Sequence, residues 1–107
     1  MRLEHYSGRK LKPEILKIVG KYLDLRHFRV FFFGSRVAGH NFDRSDIDIG
    51  IEGPKEIPGN IMVEIREDID NLPTLYEFDI VDFGNVSPEF RDGAMRDVEY
   101  VNWESSG

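Results

Sequence analysis

Residues 46–51 read Asp-Ile-Asp-Ile-Gly-Ile, and no other stretch of the chain constrains the fold as tightly. On a helix Asp46 and Asp48 would point about 200° apart, whereas on a strand alternate residues share a face with Cα atoms roughly 6.5 Å apart. Only a strand makes the two carboxylates converge, and it turns the isoleucines between them toward a core. Carboxylates so close repel each other, and a divalent cation held between or beside them, at about 2.0–2.1 Å for magnesium, relieves the repulsion. The competing reading is the solvated face of an edge strand, and context decides between the two.

That context lies just upstream. His27 to Phe33 is short, aromatic and β-branched, and it stops at Gly34, the pattern of a buried strand. Ser35 to Ala38 has room for a short helical turn before the polar loop Gly39 to Ser45. A glycine lets backbone approach a ligand closely, and the N–H groups of a helix start together with a serine hydroxyl suit phosphate oxygens. Arg36 and Arg44 add positive charge. Taken alone, Gly34-Ser35 is equally a plain tight turn. With the carboxylate pair it describes a metal–nucleotide site.

The other elements fit an α+β domain, a mixed sheet with helices packed on one side. Lys12 to Asp24 places Ile15, Ile18, Val19, Tyr22 and Leu23 at helical spacing, with Pro13 tolerated in the first turn. Gly53 to Gly59 is a loop. Ile61, Ile65, Ile69 and Leu72 mark a second helix closed by Pro73, and Tyr76 to Phe83 is a third strand. Ser87 to Met95 opens with Ser-Pro-Glu, a helix start, and Val98 to Trp103 is either a last strand or the end of that helix. A chain of 107 residues with 40% hydrophobic content supports one core and one domain over 1–107, with residues 1–10 and 104–107 expected to be flexible.

Charge and composition exclude several functions. A net charge of −6 argues against nucleic-acid binding by phosphate neutralisation. The absence of cysteine excludes disulfide frameworks, thiolate zinc sites and cysteine nucleophiles, and suits a reducing cytoplasm. No apolar run approaches the roughly 18 residues of a membrane span, and MRLEHYSGRK lacks the apolar centre of a signal peptide. His5, His27 and His40 have no metal-ligand spacing, although His40 lies in the loop before the acids. The acidic stretch Glu64 to Asp70 reads as the solvated face of the second helix.

The run GSRVAG, followed by SDIDIGI, resembles the signature of the minimal nucleotidyltransferases (MNT), small members of the DNA polymerase β-like superfamily. The resemblance extends from the first helix to the SPEFRDGAMRDVEYV tail and implies a polymerase β-like nucleotidyltransferase fold. It also implies a third carboxylate on a following strand. Strand TLYEFDIVDF offers Glu77, Asp79 and Asp82, and Asp79, between Phe78 and Ile80, matches the family's setting. Glu77 shares its face, while Asp82 lies on the other face, where a solvated or capping role is expected.

By that resemblance Asp46, Asp48 and Asp79 hold two magnesium ions, and Asp79 helps orient or deprotonate the attacking hydroxyl. Gly34, Ser35, Arg36, Arg44 and Ser45 form the nucleotide-binding set around ATP. The family's usual GSRARG carries a basic residue where this chain has Ala38, so the phosphate side lacks one charge. No acceptor-selecting helical domain follows the third strand, so the acceptor surface is expected from a second chain. Stand-alone members of the family are typically paired with helical HEPN toxins. The resemblance thus implies an antitoxin that transfers AMP to a tyrosine of its toxin. A contact-only antitoxin and a subunit of a small-molecule modifying enzyme are the alternatives. Tyr100 and Trp103 are candidate interface anchors, or aromatics packed on the chain's own core.

Overall fold

The computed structural model describes residues 8–34, 47–74 and 76–102. In chain order these residues form α1 (Gly8–Gly20), β1 (Arg29–Phe33), β2 (Ile47–Glu52), α2 (Gly59–Asp70), β3 (Phe78–Asp82), a 3-10 turn η1 (Phe83–Asn85), α3 (Pro88–Ala94) and β4 (Glu99–Tyr100). The four strands make one mixed sheet in the order β3-β2-β1-β4. β1 runs antiparallel to both β2 and β4, and β2 runs parallel to β3. This is the expected mixed α+β architecture.

The period-two pattern divides the sheet into two chemically distinct faces. Val30, Phe32, Ile47, Ile49, Ile51 and Ile80 point to one side, where they pack with Leu11, Ile15, Ile18 and Val19 of α1 and Met62, Ile65 and Ile69 of α2. Both long helices thus lie on one side, as the spacing of their apolar residues predicts. The other face carries a smaller cluster of Phe31, Phe33 and Phe83. There Phe83 sits edge-on to Phe31 and Phe33, with ring centroids 4.9 and 5.1 Å away, and the short α3 adds Phe90 at 5.7 Å from Phe83. Gly50 makes room for this stack, because a Cβ there would lie 2.4 Å from the Phe31 ring and 2.7 Å from Phe83.

The main boundary differences from the sequence expectation lie at α1 and in the tail. α1 begins at Gly8 rather than Lys12 and ends at Gly20 rather than Asp24, so residues 8–10 belong to a helix and Pro13 lies inside it rather than in its first turn. The physical reason is Leu11, which is fully buried and starts the apolar stripe one turn earlier. The tail resolves as a strand: Tyr100 pairs with Phe31 and packs its ring 5.9 Å from it, so this tyrosine is bound to the chain's own core. Asn102 then pins the tail, accepting from the Val30 N–H at 2.9 Å and donating to the carbonyls of Phe28 at 2.8 Å and Leu25 at 3.3 Å. Trp103 and the turn and loop expected over 35–45 lie outside the described residues.

Candidate active site

Antiparallel pairing sets Phe33, the last residue of β1, opposite Asp48, near the start of β2. Parallel pairing sets Asp79 of β3 in register with Asp48. Phe33, Asp48 and Asp79 therefore form one row across three strands, on the face opposite α1 and α2. Neighbouring strands are about 4.8 Å apart, so two carboxylates in register on one face stand side by side. Asp48 is half-buried and Asp79 exposed.

Gly34 closes this corner. Its φ of +93° is the only positive φ among the described residues, and a Cβ on it would meet the Asp48 Oδ2 at 2.4 Å. The turn leaving β1 thus lies directly against the Asp48 carboxylate. A side chain at residue 34 would oppose both the backbone conformation and that contact. Of the residues singled out in the sequence, the structure brings Gly34, Asp48 and Asp79 together. Asp46, Ser35, Arg36, Arg44 and Ser45 lie outside the described residues.

The two rejected acids of the third strand have different surroundings. Asp82 accepts from the Ile57 N–H and the Gly84 N–H, both at 2.8 Å, and so caps η1 while tying the loop before α2 to the end of β3. Its carboxylate is occupied by structure, as the capping role predicts. Glu77 is exposed just before the strand, where its backbone carbonyl accepts from Ile47 N–H at 2.7 Å and opens the β2–β3 ladder.

Other charged groups stand apart from this row. Arg91 of α3 and Arg29 of β1 both bind Glu52, fastening α3 to the far end of the sheet. On the helical side Tyr22 donates to Asp68 at 2.7 Å and Lys21 pairs with the same carboxylate at 2.9 Å. The Asp68 bond and burial push the Tyr22 hydroxyl up to about 12, and the Tyr22 hydroxyl and Lys21 hold the Asp68 carboxyl below its ordinary value. Asp68 therefore links α2 to the turn that follows α1, whereas Glu64, Glu67 and Asp70 are exposed, as expected for a solvated face. Among the described residues no three potential metal ligands stand together, and the third acid of the expected set, Asp46, is not among them. Sequence reasoning did not single out Gly50 or Asn102. A glycine inside a strand pattern was the available signal for the first, and none existed for the second.

A mixed four-stranded sheet with an acid pair in register beside a left-handed glycine turn defines a nucleotidyltransferase-type scaffold. The chain belongs to the polymerase beta nucleotidyltransferase family, whose model matches residues 10–102. Its fold resembles that of chains in toxin–antitoxin complexes. One complex holds a tri-AMPylated HEPN toxin of Shewanella oneidensis with its MNT antitoxin, with a TM-score of 0.68, 15% identity, 92% of this chain covered and 73% of that one. Another is a toxin–antitoxin with AMP-PNP, with a TM-score of 0.72, 17% identity and coverage of 89% and 75%. A candidate nucleotidyltransferase from Sulfolobus solfataricus is 26% identical, with a TM-score of 0.52 and coverage of 91% and 80%. No curated protein sequence matches. No helix among the described residues is long and apolar enough to cross a membrane.

Proposed function

We propose that this chain transfers AMP from ATP to a tyrosine of a helical HEPN-type partner and thereby acts as that partner's antitoxin. The observation that carries the reading is the Asp48–Asp79 register pair beside Gly34. Family membership supports nucleotidyl transfer, and the AMPylated toxin and AMP-PNP of the similar complexes support AMP as the group and a HEPN protein as the acceptor. The donor set suits a divalent cation: Asp48 and Asp79 are adjacent acid ligands on one face, and Asp46 precedes the same strand. Magnesium held by these three acids would supply charge neutralisation on the triphosphate.

The chain's own groups divide the remaining work. The Gly34 turn, with Ser35, Arg36, Arg44 and Ser45, binds the outer phosphates on the Asp48 side. Asp79, exposed on the outermost strand, orients the acceptor hydroxyl and takes its proton. The acceptor oxygen bonds to the α-phosphorus, the α–β bridging P–O bond breaks, and pyrophosphate leaves with the electron pair.

Intact-mass spectrometry of this chain mixed with the product of the adjacent gene, with and without magnesium-ATP, tests the reading. The expected result is an AMP-sized gain on the partner that the Asp46→Asn/Asp48→Asn variant abolishes. Tight co-purification with no adduct would instead favour silencing by contact, and an AMP-modified small molecule would make the chain a modifying-enzyme subunit.

A further inference from the structure

We propose that the outer edge of β3 is a docking site for the acceptor polypeptide, which adds there as an extended basic strand and presents its hydroxyl to Asp79. The inference rests on the AMP-transfer reading above and specifies how the acceptor reaches that site. β3 ends the sheet. The parallel register and the Ile47-to-Glu77 hydrogen bond turn the peptide groups of residues 79 and 81 toward β2 and those of 78, 80 and 82 outward. The Ile80 carbonyl confirms the outward direction, since it accepts from the Arg66 guanidinium of α2 at 3.2 Å. Among the described residues the Phe78 carbonyl and the Ile80 and Asp82 N–H groups have no backbone partner, and an incoming strand would pair with them over about 13 Å of edge by displacing Arg66 from the buried Ile80.

A groove of about 400 Å³ follows this edge, between α2 on one side and η1 on the other. Two properties select its occupant. The groove is continuous with the candidate active site, because Asp79 lines it and also stands in register with Asp48. Its charge is unbalanced: Glu56, Asp79 and Asp82 face Arg66 as the single base among its lining residues, in a chain of net charge −6. The edge carries no lysine or proline; its own charges are Asp79 and Asp82, which repel an acidic strand and admit a basic one. An extended segment with basic side chains matches both the pairing groups and the field, and a hydroxyl carried on it arrives beside Asp79.

The test uses the full chain and two synthetic tyrosine peptides, one with lysines at alternate positions and one with glutamates there. Amide hydrogen exchange read residue by residue reports docking independently of catalysis, and mass spectrometry with magnesium-ATP reports AMP gain. The lysine peptide should protect the Ile80 and Asp82 amides, in the Asp48→Asn variant as well, and accept AMP about tenfold faster than the glutamate peptide. Glu56→Lys, an exposed change outside the acid row, should erase most of that preference. Protection without AMP gain upholds the docking edge and overturns peptide AMP transfer. AMP gain on both peptides alike, with these amides unprotected, upholds transfer and overturns the docking edge, as does unprotected edge with AMP passing only to a small molecule.

Discussion

Gly34→Ala separates two roles that the same glycine performs. The first is conformational: at φ +93° an alanine costs about 1–2 kcal/mol relative to glycine, a loss of roughly 5–15 °C in thermal midpoint for a domain of this size. The second concerns Asp48, whose Oδ2 would lie 2.4 Å from the new Cβ, about 1 Å inside ordinary contact. The carboxylate is the terminal group of a short, half-buried side chain, so it yields by rotating. The displacement falls on function, where a misplacement of about 1 Å at a reacting centre costs on the order of 10²-fold. Thermal unfolding and AMP-transfer rate, measured on Gly34→Ala, Asp48→Ala and the double variant, resolve the two terms. The double variant should unfold at the Gly34→Ala temperature corrected only for the Asp48→Ala effect, and transfer should collapse in all three. A Gly34→Ala protein that keeps the wild-type transfer rate while losing stability would refute the argument that the glycine positions Asp48.

Asp79 and Asp82 should give opposite signatures. Asp79→Asn should leave stability within about 0.5 kcal/mol and lower transfer about 10²-fold or more, whereas Asp82→Ala should cost about 1–2 kcal/mol through its two lost N–H partners, read by denaturant unfolding. Gly50→Ala should destabilise by about 1–3 kcal/mol, because its Cβ meets two packed rings that have no free side to move to. Asn102→Ala should cost about 2–3 kcal/mol and raise hydrogen exchange at Val30, whose N–H loses its partner. Tyr22 should titrate near pH 12 in ultraviolet difference spectra, and Tyr22→Phe should remove that late step. Its folded value is raised, so the stabilisation from the Asp68 bond is complete below the ordinary value of 10.0 and is lost as pH rises through about 12.

Local pattern carried the strands and the acids. The alternation of residues 46–51 is legible because period two is a property of the extended chain itself, and it correctly assigned Asp48 to the face opposite the isoleucines. The same period put Asp82 on the face opposite Asp79, since residues three apart on a strand cannot share a face, whereas the choice of Asp79 as third acid came from the family resemblance. Helix ends were less legible. Nothing local to Lys12 reveals that Leu11 will be fully buried, so α1 was read one turn too late at its start. The last segment was ambiguous for the same reason: Glu99 and Tyr100 become a strand only because the edge of β1 is there to pair with them.

By itself the sequence determined the composition of each face, the glycine turn after the buried strand and the two-residue spacing of Asp46 and Asp48, because these follow from side-chain periodicity and backbone sterics within a few residues. Tertiary structure alone decided the rest. Asp48 and Asp79 become neighbours through parallel pairing across an intervening helix, a register set by hydrogen bonds between segments distant in the chain. The contact of Gly34 with Asp48, the rings over Gly50 and the outer position of β3 among the described strands arise from strand order, which no short stretch of the chain encodes.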